Sequence, residues 1–173
     1  MIQLNPNWRR LPRGLPQALS QWVDSRPEAT FYDLWDETIN PTWLPYLADA
    51  GGATKKQLVF AGCAVARLCL HLLPDCILQA RNALETAEAW CKGEATEEQV
   101  KEAKNAAYSR PYCTMSAHYA VNGGTIYAAT YWAVEAGIES QLVCSTVRKH
   151  LVFERPPRPK KLTIWQRLVI EDP

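Results

Sequence analysis

Apolar residues recur along this chain at the three- and four-residue steps of a helix. Ile77, Ala80, Leu84, Ala87 and Cys91 form one such stripe, while Arg81, Glu85, Glu88 and Lys92 take the other positions. That pattern predicts an amphipathic helix with one buried face, and Gly93 supplies the left-handed residue that ends it. Upstream, Thr54-Lys55-Lys56-Gln57 has the form of a capping box. In such a box the threonine hydroxyl accepts from the amide three residues on, and the glutamine reaches back. From there to Leu73 only Arg67 and His71 are polar beyond the first turn. A helix apolar on every face is surrounded by others, so residues 54–73 are expected to form a central helix that Pro74 ends.

Shorter signals place the remaining elements. Residues 1–16 hold Pro6, Pro12, Pro16 and Gly14, which predicts an extended arm. Residues 17–25 and 28–38 each predict a short helix, with Trp22, Phe31, Leu34 and Trp35 as apolar contacts. Asn40-Pro41 starts another, which carries Trp43, Leu44 and Leu47 and runs to Gly51-Gly52. Thr96-Glu97-Glu98-Gln99 repeats the capping box and opens a helix with Val100, Ala103 and Ala107 inward.

From Pro111 to Ala136 the chain reads as one helix with a weak middle at Asn122-Gly123-Gly124. Tyr108, Tyr112, Tyr119, Tyr127 and Tyr131 make an aromatic seam along it. Residues 139–152 predict a further helix resting on Leu142, Val143, Val147 and Leu151. The run Arg155-Pro156-Pro157-Arg158-Pro159 is a semi-rigid linker. Thr163-Ile164-Trp165-Gln166 offers a third capping box, although the β-branched residues after it also suit a strand.

The expected fold is therefore all-α, a helical bundle around the buried central helix, with an extended N-terminal arm and a basic proline-rich C-terminal tail. One domain covers residues 1–153, made of the arm 1–16 and a core 17–153; residues 154–173 are the linker and basic segment. At 173 residues and 47% hydrophobic, the chain can bury one core without metal or disulfide.

Charge adds an uneven layout to this picture. The formal net charge is +1, but residues 1–23 carry +3, residues 24–53 carry −5 and residues 147–173 carry +4. The basic ends read first as straps or solvated segments against the acidic stretch, and second as a docking surface. Met1 opens into a polar stretch rather than an export signal, and no apolar run is long enough to span a bilayer, so a cytoplasmic protein is expected. Its six cysteines then stay reduced, and most sit among apolar residues as small hydrophobes.

Candidate chemistry is sparse. The dinucleotide and Walker glycine motifs, the nucleophile elbow, H-E-x-x-H and C-x-x-C are all missing from the sequence. Arg67 and His71 lie one turn apart; they read as polar heads at the rim of the core, satisfied by acids or carbonyls, ahead of an anion grip. Cys113 and His118 do not have the spacing of a helix-borne metal pair. Glu85 with Glu88, and Glu97, Glu98 and Glu102, read as solvated helix faces. No catalytic residue, metal ligand or cofactor is assigned. The residues expected to meet a partner are Trp8, Arg9 and Arg10 in the arm, with Arg158, Lys160, Lys161, Trp165 and Arg167 in the tail.

Three stretches carry a family resemblance. They are Trp43-Leu44-Pro45-Tyr46-Leu47, then Cys63-Ala64-Val65-Ala66-Arg67-Leu68-Cys69-Leu70-His71-Leu72-Leu73-Pro74, then Ala83-Leu84-Glu85-Thr86-Ala87-Glu88-Ala89-Trp90 with Gly93-Glu94-Ala95-Thr96. Together they resemble the immunity-protein family of bacterial polymorphic toxin systems, the helical domain termed "Imm five-like", over roughly residues 40–150. The resemblance implies a helical fold and a protein that neutralises a cognate toxin, and it brings no catalytic residues. The function expected is a non-enzymatic module that binds another protein, a toxin or a defence-system component of bacterial or phage origin. A nucleic-acid-binding subunit using the basic ends stands second, and a small-molecule sensor using the tyrosine seam and the Arg67/His71 face stands third.

Overall fold

The computed structural model describes residues 1–10, 15–72, 77–106 and 126–156. Eight α-helices occur among them: α1 (Gln17–Asp24), α2 (Phe31–Glu37), α3 (Leu44–Ala50), α4 (Lys55–Arg67), α5 (Ile77–Lys92), α6 (Glu97–Ala106), α7 (Ile126–Glu135) and α8 (Ser140–His150). The described residues contain no strand, only an isolated parallel bridge between Ile2 and Phe153. The fold is an all-α bundle, as expected.

Its centre is α4, which packs against α3, α5, α7 and α8. Leu58, Val59, Ala61, Cys63, Val65 and Ala66 are all buried, which is the outcome predicted by a helix apolar on every side. The Thr54 capping box forms in both directions: the Thr54 amide donates to Gln57 Oε1 at 2.8 Å, and the Gln57 amide donates to Thr54 Oγ1 at 3.4 Å. The helix is shorter than the predicted 54–73. After Arg67 the hydrogen bonds tighten to three-residue steps, Leu68 to Val65 and Cys69 to Ala66, and Leu70–Leu72 is a 3₁₀ turn. Pro74 follows in the sequence, and a proline has no amide to donate to an α-ladder.

The amphipathic pattern of α5 is realised, with Ala80, Ala83, Leu84 and Ala87 buried. Gly93 closes it at φ 84°, a backbone angle that glycine adopts without steric cost. Thr96 and Gln99 cap α6 reciprocally. On α8, Val143, Cys144 and Val147 face inward, whereas Leu142, expected there, is 46% exposed. One residue step is about 100° of rotation, and the stripe set by 143, 144 and 147 leaves 142 outside. Most of the predicted helix over 111–136 lies outside the described residues, α7 being its last part.

Two starts differ from expectation. Helix α2 begins at Phe31 because Thr30 and Asp33 form a capping box of their own, the hydroxyl and amide of Thr30 both donating to Asp33. Those bonds, the side-chain one foremost, hold the Asp33 carboxyl below its ordinary pKa. Helix α3 begins at Leu44 with Pro45 in its first turn, so Pro41 belongs to the preceding connection rather than to the helix.

Of the arm, expected to be extended over 1–16, the first five residues are extended. Residues 6–9 form a turn instead, with the Trp8 amide donating to Asn5 O and the Arg10 amide to Asn7 O, and the described part is built into the fold. The Ile2 amide donates to Val152 O at 2.7 Å, and the Glu154 amide donates to Ile2 O at 2.8 Å. Asn5 bonds the C-terminal end of α3 through Gly51 O at 2.9 Å and Ala50 O at 3.2 Å. Around this seam Phe31 collects rings: Phe153 at 4.7 Å, Trp8 at 5.6 Å, Tyr32 at 5.7 Å and Trp35 at 5.9 Å between centroids.

Candidate partner-binding surface

Of the residues predicted to meet a partner, three are described. Trp8 is only 9% exposed and packs edge-on against Phe31, so its ring belongs to the core. Arg9 is exposed, yet its Nη2 donates to the carbonyls of Arg26, at 3.3 Å, and Pro27, at 2.8 Å, and to that of Ala29. Arg10 is exposed beside it. Arg158, Lys160, Lys161, Trp165 and Arg167 lie outside the described residues, but the start of the tail is placed. Arg155 pairs with Asp36 at 2.8 Å, and the Tyr32 hydroxyl donates to Glu154 O. Arg9 and Arg155 thus both fasten the acidic stretch 24–53.

The Arg67/His71 face resolves in the same way. Arg67 Nε and Nη2 donate to the two carboxylate oxygens of Glu88 at 2.8 and 2.9 Å, which raises the guanidinium pKa further. Glu88 is therefore a core-rim partner rather than part of a solvated face, and His71 is exposed on the 3₁₀ turn. In the tyrosine seam, Tyr127 meets Tyr46 at 4.1 Å between centroids, and burial pushes its phenol pKa up. Tyr131 is exposed; Tyr108, Tyr112 and Tyr119 lie outside the described residues, as do Cys113 and His118.

Cys63, Cys91 and Cys144 are free thiols. Burial raises the pKa of Cys63, Cys91 and Cys144, so these three are protonated near neutral pH and are poor nucleophiles. Among the described residues no group of three or more His, Cys, Asp or Glu can hold a metal ion, and no helix is long and apolar enough to cross a membrane.

The surface that sequence reasoning missed is the corner made by α1, α2 and α3. Helix α1 buries Leu19 and Val23, which turns Trp22 to the rim, and one turn on the Arg26 guanidinium lies 4.7 Å over the Trp22 ring. Trp43, just before α3, meets Trp22 at 5.3 Å between centroids. Between these rings, Thr38, Ile39 and the Arg26–Glu37 ion pair lies a cavity of about 350 Å³. At its edge Ile39 is 75% exposed, an unusual place for a β-branched apolar side chain.

The backbone that carries Ile39 is fixed from several sides. Arg148 Nε donates to Trp35 O at 2.9 Å, and its Nη2 donates to Thr38 O, satisfying carbonyls at the end of α2. One turn earlier on α8, the Cys144 thiol donates to Ile39 O at 3.4 Å. On the other side, Asn40 Oδ1 accepts from the Thr42 amide at 3.0 Å and hydroxyl at 2.7 Å, and Asn40 O accepts from the Trp43 amide at 3.1 Å. An apolar side chain is thus held out to solvent on a backbone whose carbonyls at Thr38, Ile39 and Asn40 are each bonded. The available sequence signal was Ile39 itself, a lone branched apolar residue in the turn stretch Thr38-Ile39-Asn40-Pro41.

Comparisons of this chain with protein-family models, with curated proteins and with solved structures found no match.

Proposed function

We propose that this chain is a non-enzymatic protein-binding module that acts in the cytoplasm. It is of the immunity or inhibitor kind that residues 40–150 resemble, and it neutralises or adapts a partner protein in a bacterial or phage conflict system. The observation that carries this reading is Ile39, exposed on a preorganised connection beside the Trp22–Trp43 pair. Binding energy in interfaces concentrates in a few aromatic and arginine residues around a well-packed pocket. A connection already fixed in place loses little conformational entropy when it docks. Arg9, predicted as a contact of the arm, takes a lesser part here because it is bonded within the chain.

The test is an affinity pull-down from a strain carrying the neighbouring genes, with nuclease treatment in parallel and mass spectrometry as the readout. One stoichiometric protein partner is expected with the wild-type chain. It should be lost with Ile39→Asp, whose thermal midpoint stays within a few degrees of wild type because the side chain packs on little. Recovery of nucleic acid alone, with affinity falling steeply as salt rises, would overturn the reading.

A further inference from the structure

A second cavity, of about 120 Å³, lies between α2, the end of α8 and the segment that follows it. Its lining carries two arginines, Arg148 and Arg155, and one acid, Asp36. Both guanidiniums are held in place by groups that leave donors unused. Arg148 commits Nε to Trp35 O and Nη2 to Thr38 O. Arg155 donates through Nη2 alone, to both carboxylate oxygens of Asp36 at 2.8 Å, and its guanidinium lies 5.5 Å from the centre of the Tyr32 ring. A guanidinium offers N–H donors on all three of its nitrogens. Nη1 of Arg148, with Nε and Nη1 of Arg155, therefore has no hydrogen-bond partner among the described residues.

Charge is left over in the same place. Asp36 pairs with Arg155, whereas Arg148, half-buried on α8, pairs with no carboxylate among the described residues. Its partners are carbonyls at the end of α2, and the dipole of a seven-residue helix offsets only part of a charge. A partly desolvated cation without a counter-ion favours an anion that comes to it. We propose that this cavity binds a carboxylate group, seated on the unused guanidinium donors of Arg148 and Arg155. The proposal does not depend on the surface beside Ile39.

Three features select that chemistry. Two arginines and one aspartate leave the lining with a single positive charge, which one monoanion balances. A phosphate monoester, with about two negative charges at neutral pH, would leave an excess beside Asp36. A carboxylate is also planar and matches the fork of a guanidinium. The remaining walls, Trp35, Leu151, Val152 and Phe153 among them, are apolar and suit a short hydrocarbon stem. The volume is well below the roughly 300–1,000 Å³ of pockets that hold drug-sized ligands, so the cavity takes the end of a molecule. A small free acid carries such an end, and so does a glutamate side chain of another protein.

The experiment uses the full chain at constant ionic strength. Binding is read from the NMR signals of the Arg148 and Arg155 Nε–H, the Trp35 indole N–H and the Val152 methyl groups. Propionate at millimolar concentration is expected to shift these signals saturably. It should bind about tenfold or more tightly than propionamide, the worth of hydrogen bonds to a charged group, and more tightly than methyl phosphate. Arg155→Met should weaken propionate about threefold or more with little change in melting temperature, because an exposed ion pair contributes little to stability. Asp36→Asn should act in the opposite direction and tighten propionate by about two- to fivefold, since a like charge leaves the lining. The α-amide of N-acetyl-glutamate separates the two sources. Affinity equal to that of propionate shows that a protein side chain enters, and loss of binding assigns the cavity to a small free acid. Absence of a saturable shift, equal affinity for propionate and propionamide, tighter binding of methyl phosphate, unchanged affinity in Arg155→Met, or affinity that fails to rise in Asp36→Asn would each overturn the proposal.

Discussion

Gly51 sits where the aromatic cluster leaves no room for a side chain. A Cβ built there would lie 2.7 Å from Cε1 of Phe153 and from Cζ of Phe31, both ring atoms within a packed group. Gly51→Ala is therefore expected to lower stability by about 1–3 kcal/mol, the usual range for overpacking a filled site. Urea unfolding with an unchanged m-value measures it, and a variant as stable as wild type would mean that the rings yield freely. The sequence marks Gly51-Gly52 as the stop of a short helix, and that much is local. The reason that only glycine fits at 51 comes from Phe153, distant along the chain, and no local pattern announces it. Arg67 behaves alike: its position at the rim was legible from the apolar run around it, whereas Glu88 as its partner was not.

At the scale of elements, the α2–α3 connection owes its shape to α8. Arg148 and Cys144 lie one turn apart on that helix and hold the carbonyls of Trp35, Thr38 and Ile39. Arg148→Met keeps a long stem while deleting the donors. It is expected to cost about 1–3 kcal/mol, the range for hydrogen bonds to a charged group at a partly exposed site. Amide exchange over residues 35–40 should quicken while α4 stays protected, and hydrogen exchange read by mass spectrometry distinguishes this from global loosening. Unchanged exchange there would show that the connection holds itself. The Thr54 and Thr96 caps were legible as short motifs, because each bonds within three residues, whereas Asn40-Pro41 read as a helix start and is a turn. The Thr30–Asp33 cap has the same form, with Asp in place of Glu or Gln. Arg148 carried no such signal, since its charge at the end of α8 reads equally well as a favourable helix-end residue.

For the molecule as a whole, the two ends close on each other. Ile2 is buried, bridges Phe153 and bonds on both sides of it, and Arg155 just beyond pairs with Asp36. Ile2→Ala is expected to lower stability by about 2–4 kcal/mol, as for a core isoleucine. It should also open residues 150–156 to protease before the rest of the chain. Thermal unfolding together with limited proteolysis checks both, and a variant that melts and is cleaved like wild type would show that the seam contributes nothing. The uneven charge layout foretold that basic ends and an acidic stretch would attract. For Arg9 the attraction is met through backbone carbonyls, and for Arg155 through a carboxylate. Either choice depends on where loops fall in space.

The helical class, the central position of α4 and most of the cap sites follow from patterns that span a few residues. Helical periodicity, capping boxes and proline are local in their physics, so the linear chain carries them in full. The surface beside Ile39 does not follow in that way. Trp22, Thr38, Ile39 and Trp43 belong to three different stretches, and each alone reads as an ordinary core or turn residue. Packing of α1, α2 and α3 brings them together, and hydrogen bonds from α8 keep Ile39 outside. Which apolar side chains are left over once the core is full depends on long-range packing, and the tertiary structure alone contains that information.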